Sequence, residues 1–374
     1  MLALTGAKLF DGERFHEDST LLIDGARISA IVPNNQRPKG VEARDLGGGL
    51  LAPGFVDVQV NGGGGALLND KPSVDVVRRI AESHRRFGTT GMLPTLVTDA
   101  PEVMAAGIAA VRAARAHLPG VLGIHLEGPF LDVRRKGAHL GSFIREMTQG
   151  DVETIAAADC GIVLATLAPN RVRPELIRAL AARGVLVSLG HAEASHAQAL
   201  AALDAGASAF THLFNAMSQI TGREPGMVGA ALSHGESYVG LIADGHHVHD
   251  ANLKIAFAAK RRDRFMLISD AMPPAAGGPD HFELMGRRVS RVGGRLQLED
   301  GALAGSTLTM DEAVRYCVNS LGVDLADALR MASRVPATFL RRGNDLGRIA
   351  PGYLASLVHL DDSLQVRETW IEGR

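Results

Sequence analysis

Five short apolar runs in the sequence each end in one ionisable side chain. Glu127 follows Gly123-Ile124-His125-Leu126, His191 follows Val185 to Gly190, and His212 ends Phe210-Thr211. His247 follows Gly240-Leu241-Ile242-Ala243-Asp244, and Asp270 follows Met266-Leu267-Ile268-Ser269. Taken singly, each has an ordinary structural reading. A histidine after a strand is commonly a satisfied structural residue, and an acidic residue there often caps a helix or forms a turn. Five such placements in one relative position point instead to shared chemistry. Two imidazoles and a carboxylate hold a hydrolytic metal and leave a position open for water, and Glu127, His191 and His212 supply that set. A divalent ion brings the pKa of bound water to about 7 from about 15.7, so hydroxide forms without a strong base. Asp270 then remains to handle a proton. His247 remains as carbonyl polariser or substrate donor, both within reach of a side chain that titrates near neutrality. His246 and His249 flank it and read as supporting or exposed rings, and His125, two residues before Glu127, shares its face if the strand continues.

These residues need a scaffold that brings strand ends together. The runs 55–60, 91–96, 121–126, 162–167, 185–189, 207–213, 238–243 and 265–269 read as strands. Helical segments alternate with most of them: 74–87, 103–116, 152–158, 174–183, 196–203, 252–260 and 310–320. Such alternation implies a parallel sheet with right-handed crossovers. Eight units over about 300 residues suit a closed α/β barrel, where the carboxyl ends of the strands share one rim. An open doubly wound sheet is the competing architecture, but no Gly-x-Gly-x-x-Gly follows an early strand.

The two ends of the chain read differently. Leu21-Leu22-Ile23, Asp24-Gly25 and Arg27 to Val32 form a hairpin pattern around an Asp-Gly turn. The segments 355–360 and 365–371 are also strand-like, so both termini are expected to build one small sheet domain: residues 1–52 with 345–374 around a catalytic domain of 53–344. A β-like insert at about 280–300 is expected either at the mouth of the site or against the small sheet.

Composition excludes several classes. A net charge of -2 gives no general basic field for nucleic acid. No apolar run approaches the 18 residues a membrane span needs, and no signal peptide is evident. Cys160 and Cys317 read as free buried thiols, consistent with a reducing cytoplasm.

The motifs also match a known family. The chain resembles the N-acetylglucosamine-6-phosphate deacetylases of the amidohydrolase superfamily. The match is carried in order by Pro53-Gly54-Phe55-Val56-Asp57-Val58-Gln59-Val60-Asn61-Gly62, His125-Leu126-Glu127-Gly128-Pro129-Phe130, Gly190-His191 and Thr211-His212-Leu213-Phe214-Asn215-Ala216-Met217. It continues through Gly222-Arg223-Glu224-Pro225-Gly226, Ala243 to His247, Ser269-Asp270-Ala271-Met272 and Leu303-Ala304-Gly305-Ser306. The resemblance implies a TIM-type (β/α)₈ barrel with a small β-sandwich domain, usually as a homodimer. It implies hydrolysis of N-acetyl-D-glucosamine 6-phosphate to D-glucosamine 6-phosphate and acetate, in amino sugar catabolism or cell-wall sugar recycling. Glu127, His191 and His212 would bind the metal, Asp270 would serve as general base and then acid, and His247 would contact the substrate carbonyl. Ala138, His139, Asn215, Ala216, Arg223, Leu303, Ala304 and Gly305 would line the sugar-phosphate pocket. Arg223 offers bidentate geometry to phosphate, from its own chain or across a dimer.

One departure bears on the metal. Many superfamily members carry His-x-His at the end of the first strand, where this chain has Gln59-Val60-Asn61. Amides are poor ligands beside imidazole, so one divalent ion per subunit is expected, with a weak second site as the alternative. Zn²⁺ suits His₂Glu geometry, and Fe²⁺, Co²⁺ or Mn²⁺ could occupy the same set. The glycine run 62–65 is expected as a flexible loop over the site, a phosphate cradle lacking its Lys-Ser/Thr. Competing readings are a deacetylase of N-acetylgalactosamine 6-phosphate, another amidohydrolase, and a non-catalytic sugar-phosphate-binding protein. The last should have lost a ligand or Asp270, and all are present.

Overall fold

The computed structural model describes residues 1–374. Its centre is an eight-stranded parallel sheet in which every strand pairs with its neighbours in sequence. The barrel strands are Phe55–Val60, Thr89–Val97, Gly123–Glu127, Ile162–Leu167, Leu186–Leu189, Ala209–Phe210, Tyr238–Leu241 and Phe265–Leu267. They are buried on both faces because helices cover them outside and side chains fill the barrel inside. The barrel closes where Val60 bridges to Ala271, with Asp270 N–H donating to Gln59 O at 3.0 Å and Asn61 N–H to Ala271 O at 3.0 Å. Closure therefore sets the end of the first strand beside Asp270.

Helices start where the sequence supplies caps. Ser73 caps Val74–Arg85, and Ser195 with Gln198 forms a capping box on His196–Asp204. Three helices fall where periodicity gave no clear reading: Gly226–Ser233 between the expected strands 207–213 and 238–243, and Leu325–Ala332 and Arg334–Phe339 after the last expected helix. Each has at most eight residues, too few for helical spacing to be distinctive.

Both termini contribute strands outside the barrel. A four-stranded sheet joins Leu2–Thr5, Ser19–Asp24, Arg27–Pro33 and Glu42–Asp45. The Asp-Gly turn lies in it, and Gly25 takes the positive φ of 56° that the turn needs. A five-stranded sheet joins Lys8–Phe10, Phe15–His16 and Leu50–Pro53 to the C-terminal Leu357–Leu360 and Val366–Trp370. Leu4, Leu21, Ile28, Leu51, Leu357 and Trp370 belong to one buried cluster drawn from the two sheets.

Two expectations need correction or completion. The glycine run is no flexible loop. Gly62–Gly63 and Ala66–Leu67 form a short hairpin, and Gly62, Gly64 and Gly65 donate backbone N–H to Ala271, Ala275 and Pro273. It does not line the cavity at the carboxyl ends of the barrel strands. The insert is a three-stranded antiparallel sheet, His281–Leu284, Arg287–Val292 and Arg295–Leu298. Its inner face packs on Leu67, Val97 and Met272, and an Arg287 N–H donates to Ala138 O, which places the insert at the mouth.

Candidate functional site

The carboxyl ends of the barrel strands surround a cavity of about 390 Å³. Glu127, His191, His212, His247 and Asp270 all line it, although four other strands separate the first from the last in sequence. Three of the five, His191, His212 and Asp270, have positive φ values of 47°, 31° and 50°. Non-glycine residues pay about 1–3 kcal/mol for such backbone. Here it turns the chain sharply at the strand end and aims the side chain inward.

Glu127, His191 and His212 form the tightest group. His212 Nε2 lies 3.0 Å from His191 Nε2 and 3.1 Å from Glu127 Oε1, and His191 Nε2 lies 3.3 Å from the same oxygen. His191 faces Arg135 O through Nδ1 at 2.9 Å. It can only donate to a carbonyl, so its proton sits on Nδ1 and its Nε2 presents a lone pair. Burial alone would raise Glu127, but its contacts with the His191 and His212 rings hold it well below the usual carboxylate range. An anionic oxygen and two ring nitrogens, all buried and converging within 3.3 Å, suit a divalent cation.

His139 offers an alternative grouping, since one ligand atom each from Glu127, His139 and His191 lies within 4.8 Å of the others. Its chemistry argues otherwise. Burial first, and then the neighbouring His191 ring, lower His139 to about 3, so the ring is neutral. Its Nδ1 accepts Thr98 N–H at 3.3 Å, which leaves the proton on Nε2. That nitrogen is 3.9 Å from Glu127 Oε2 and carries hydrogen rather than a lone pair. His139 is thus set as a donor, while His212 Nε2 stands nearer both Glu127 and His191.

Asp270 stands beside the group. Burial first, then the charge of Glu127, raise it to about 6. Ser306 N–H donates to its carbonyl, and Ser306 Oγ to Ser269 O. Gly305 makes this possible: its φ is +62°, and a Cβ there would sit 2.6 Å from Met272 Cγ and 2.7 Å from Asp270 O. Across the cavity, His247 Nδ1 faces Asp244 Oδ2 at 2.7 Å, and its Nε2 is buried with no partner in the chain. Asp244 also accepts the backbone N–H of His246 and His247, which fixes the ring. Burial raises this carboxyl, but His247 overrides that and lowers it.

Of the other expected residues, Ala138, His139, Asn215, Ala216, Leu303 and Gly305 line the cavity. Ala304 does not; it is buried in the apolar cluster under the insert. Arg223 does not line the cavity of its own chain either, and its whole loop from Thr221 to Pro225 is exposed. Gln59 and Asn61 lie below, hydrogen-bonded to Asp270. His125 bonds Thr95 and Thr166 inside the barrel, a supporting place beneath Glu127. His246 touches the insert at Gly294, and His249 caps the helix Asp250–Ala259.

Sequence reasoning missed Arg134, Arg135, Ile242, Met272 and Leu284 in the wall, and Asp244 behind His247. It also missed Asp57, buried under the site, whose carboxylate accepts Gln59 and Ser269 N–H. Burial raises Asp57 to about 7. A signal existed for the two acids: Asp57 lies two residues before Gln59 on one strand face, and Asp244 lies at a strand end three residues before His247.

Comparison with known proteins places these residues in context. Residues 50–374 match the model of the Amidohydrolase family, and residues 1–51 match the NagA composite domain. The chain is 45% identical over 329 residues to an N-acetylgalactosamine-6-phosphate deacetylase of Shewanella sp. (strain ANA-3), covering 88% of this chain and 83% of that protein. It is 40% identical over 394 residues to the N-acetylglucosamine-6-phosphate deacetylase of Homo sapiens, covering 100% and 95%. Among solved structures, the N-acetylglucosamine-6-phosphate deacetylase of Pasteurella multocida superposes with a TM-score of 0.97 at 33% identity, covering 100% of this chain and 98% of that one.

Proposed function

The chain belongs to the amidohydrolase family, and on that footing we propose that it removes the acetyl group of N-acetyl-D-glucosamine 6-phosphate, giving D-glucosamine 6-phosphate and acetate. The observation that carries the reading is the convergence of Glu127 Oε1, His191 Nε2 and His212 Nε2 within 3.3 Å, beside Asp270 in one cavity. The deacetylase relatives supply the substrate class, and such a reaction belongs to amino sugar catabolism or cell-wall sugar recycling.

Glu127, His191 and His212 would hold one divalent ion, Zn²⁺ first among Zn²⁺, Fe²⁺, Co²⁺ and Mn²⁺. The ion's contribution when bound is Lewis-acid chemistry at neutral pH. The remaining steps fall to side chains of this chain. Asp270 takes a proton from the attacking water as the water oxygen bonds to the acetyl carbon. It then returns that proton to the departing nitrogen. A well-placed acid–base is worth roughly 10²–10⁴-fold. His247, its ring fixed by Asp244 at Nδ1, presents Nε2 to the acetyl oxygen as negative charge gathers there. His139, held in its Nε2–H form, donates to the sugar.

Arg223 is the phosphate ligand in this reading, and it acts across a homodimer. Its exposed loop lies outside the cavity of its own chain, and Ile220 on the same loop is 54% exposed, as suits a surface covered by a second copy. The cytoplasm is the proposed compartment, on the two free buried cysteines. No helix is long and apolar enough to cross a membrane.

A second reading, deacetylation of the galacto isomer, is favoured by the relative from Shewanella. Acetate release from N-acetylglucosamine 6-phosphate, its galacto isomer and unphosphorylated N-acetylglucosamine separates the readings. Release from the gluco phosphate supports the first, a strong galacto preference replaces it by the second, and release from neither phosphate overturns both.

A further inference from the structure

We propose that Gln59 and Asn61 are positioning residues: an amide clamp that occupies Asp270 Oδ1 and leaves Oδ2 as the single oxygen that carries the proton. The inference rests on the deacetylase reading above. Asn61 Nδ2 donates to Asp270 Oδ1 at 2.7 Å, and Gln59 Nε2 donates to the same oxygen at 3.0 Å. Gln59 Nε2 also reaches Glu127 Oε1 at 2.9 Å. No group of the chain bonds Asp270 Oδ2, and Asp270 lines the cavity. Gln59 and Asn61 are 2% and 0% exposed, so solvent does not compete for these bonds.

A carboxylate oxygen has two lone-pair sites in its plane. Two N–H donors fill those of Oδ1, and basicity toward a further proton is left on Oδ2. The orientation of Asn61 follows from the same contact. Its amide oxygen against Oδ1 would set two acceptors face to face, so the NH₂ group faces the carboxylate. The remaining Asn61 Oδ1 is buried without a partner, a cost that the charge-assisted bond from Nδ2 to Asp270 offsets. Barrel closure fixes the backbone around the clamp, since Asp270 N–H donates to Gln59 O and Asn61 N–H to Ala271 O.

Amide side chains suit this task because they do not titrate. An imidazole in either place could take the proton that Asp270 must carry, whereas an amide NH₂ group only donates and takes no proton. The proton balance is then simple. One O–H bond of water breaks as its oxygen bonds to the acetyl carbon, and the proton goes to Oδ2. As the C–N bond breaks, that proton moves to the sugar nitrogen, and Asp270 ends as the carboxylate that began.

The test is a double-mutant cycle on the metal-loaded full chain with N-acetylglucosamine 6-phosphate. Asn61→Leu and Gln59→Leu remove one donor each at similar volume. Each is expected to lower kcat about 10- to 100-fold, with KM within about threefold and bound metal per subunit unchanged. In the Asp270→Asn background, neither should lower the residual rate further. A full further loss in that background, an unchanged kcat in the single variants, or a loss confined to KM or metal content overturns the clamp. If Asn61→Leu does not fold, Gln59→Leu carries the same comparison. Wild-type turnover is read first: no acetate from the wild type removes the deacetylase reading and the clamp with it, whereas normal wild-type turnover with additive losses removes the clamp alone.

Discussion

His191 and His212 stand at the ends of successive barrel strands and bring their Nε2 atoms to 3.0 Å from each other. Two ring nitrogens at that distance repel unless a proton or a cation lies between them. The His191 proton is already committed to Arg135 O. Glu127 adds negative charge to the same point. Only the His212 proton is left to lie among these three atoms, and one cation shared by all of them satisfies the convergence better, which is the physical core of the metal assignment.

Replacing either histidine by alanine, or Glu127 by glutamine, should cost the bound ion. Glu127→Gln removes the only anionic donor while keeping its size, and metal content read by elemental analysis should fall well below one per subunit. His139→Ala should leave metal content unchanged and raise KM, because its Nε2 carries a proton. Loss of metal in His139→Ala with retention in His212→Ala would reverse the ligand assignment.

The pH profile should show an acid limb set by Asp270. Burial and Glu127 raise it from 3.8 to about 6. It must be ionised to accept a proton, so kcat/KM falls roughly tenfold per unit as pH drops below this value. A cation on Glu127 offsets the repulsion, so the metal-loaded limb lies at or below about 6. Asp270→Asn should lose roughly 10²–10⁴-fold in kcat and lose this limb. A limb above pH 7, or one that persists in Asp270→Asn, contradicts the assignment.

Arg223→Ala should raise KM for the phosphorylated sugar by about 10- to 100-fold, the scale of one or two charge-assisted hydrogen bonds. Mixing Arg223→Ala with Asp270→Asn subunits tests the direction of its reach. If Arg223 serves the partner, a mixed dimer contains one site with both Asp270 and an arginine, and activity returns. If it serves its own chain, every site lacks one of the two, and mixing restores nothing.

Gly305→Ala should destabilise the fold by about 1–3 kcal/mol from its positive φ alone. It should also lower kcat, because the added Cβ would meet Asp270 O. Thermal unfolding and turnover of the same sample check this. Unchanged turnover would mean that the Leu303–Gly305 loop does not set Asp270.

Much of this was legible in the sequence because barrels place strand ends on one rim. Glu127, His191, His212, His247 and Asp270 could be aligned by counting from apolar runs, with no knowledge of long-range packing. What lay beyond reach depends on contacts between distant segments. The bond from Gln59 to Asp270 spans 211 residues and exists because the barrel closes there. The glycines at 62–65 look mobile by composition, yet backbone bonds to Ala271, Pro273 and Ala275 pin them. The insert's place depended on an apolar face shared with Leu67, Val97 and Met272, and no local pattern records that. Arg223 was marked by its motif, but its exposed position only the fold could show.

The most direct test is to titrate a divalent ion, Zn²⁺ first, into metal-free protein while reading bound metal and acetate released from N-acetylglucosamine 6-phosphate on the same samples. The account predicts no turnover without metal and a rise that saturates at about one equivalent per subunit, in wild type but not in Glu127→Gln. Full turnover in the metal-free protein, or a rise that begins only after a second equivalent binds, would contradict it.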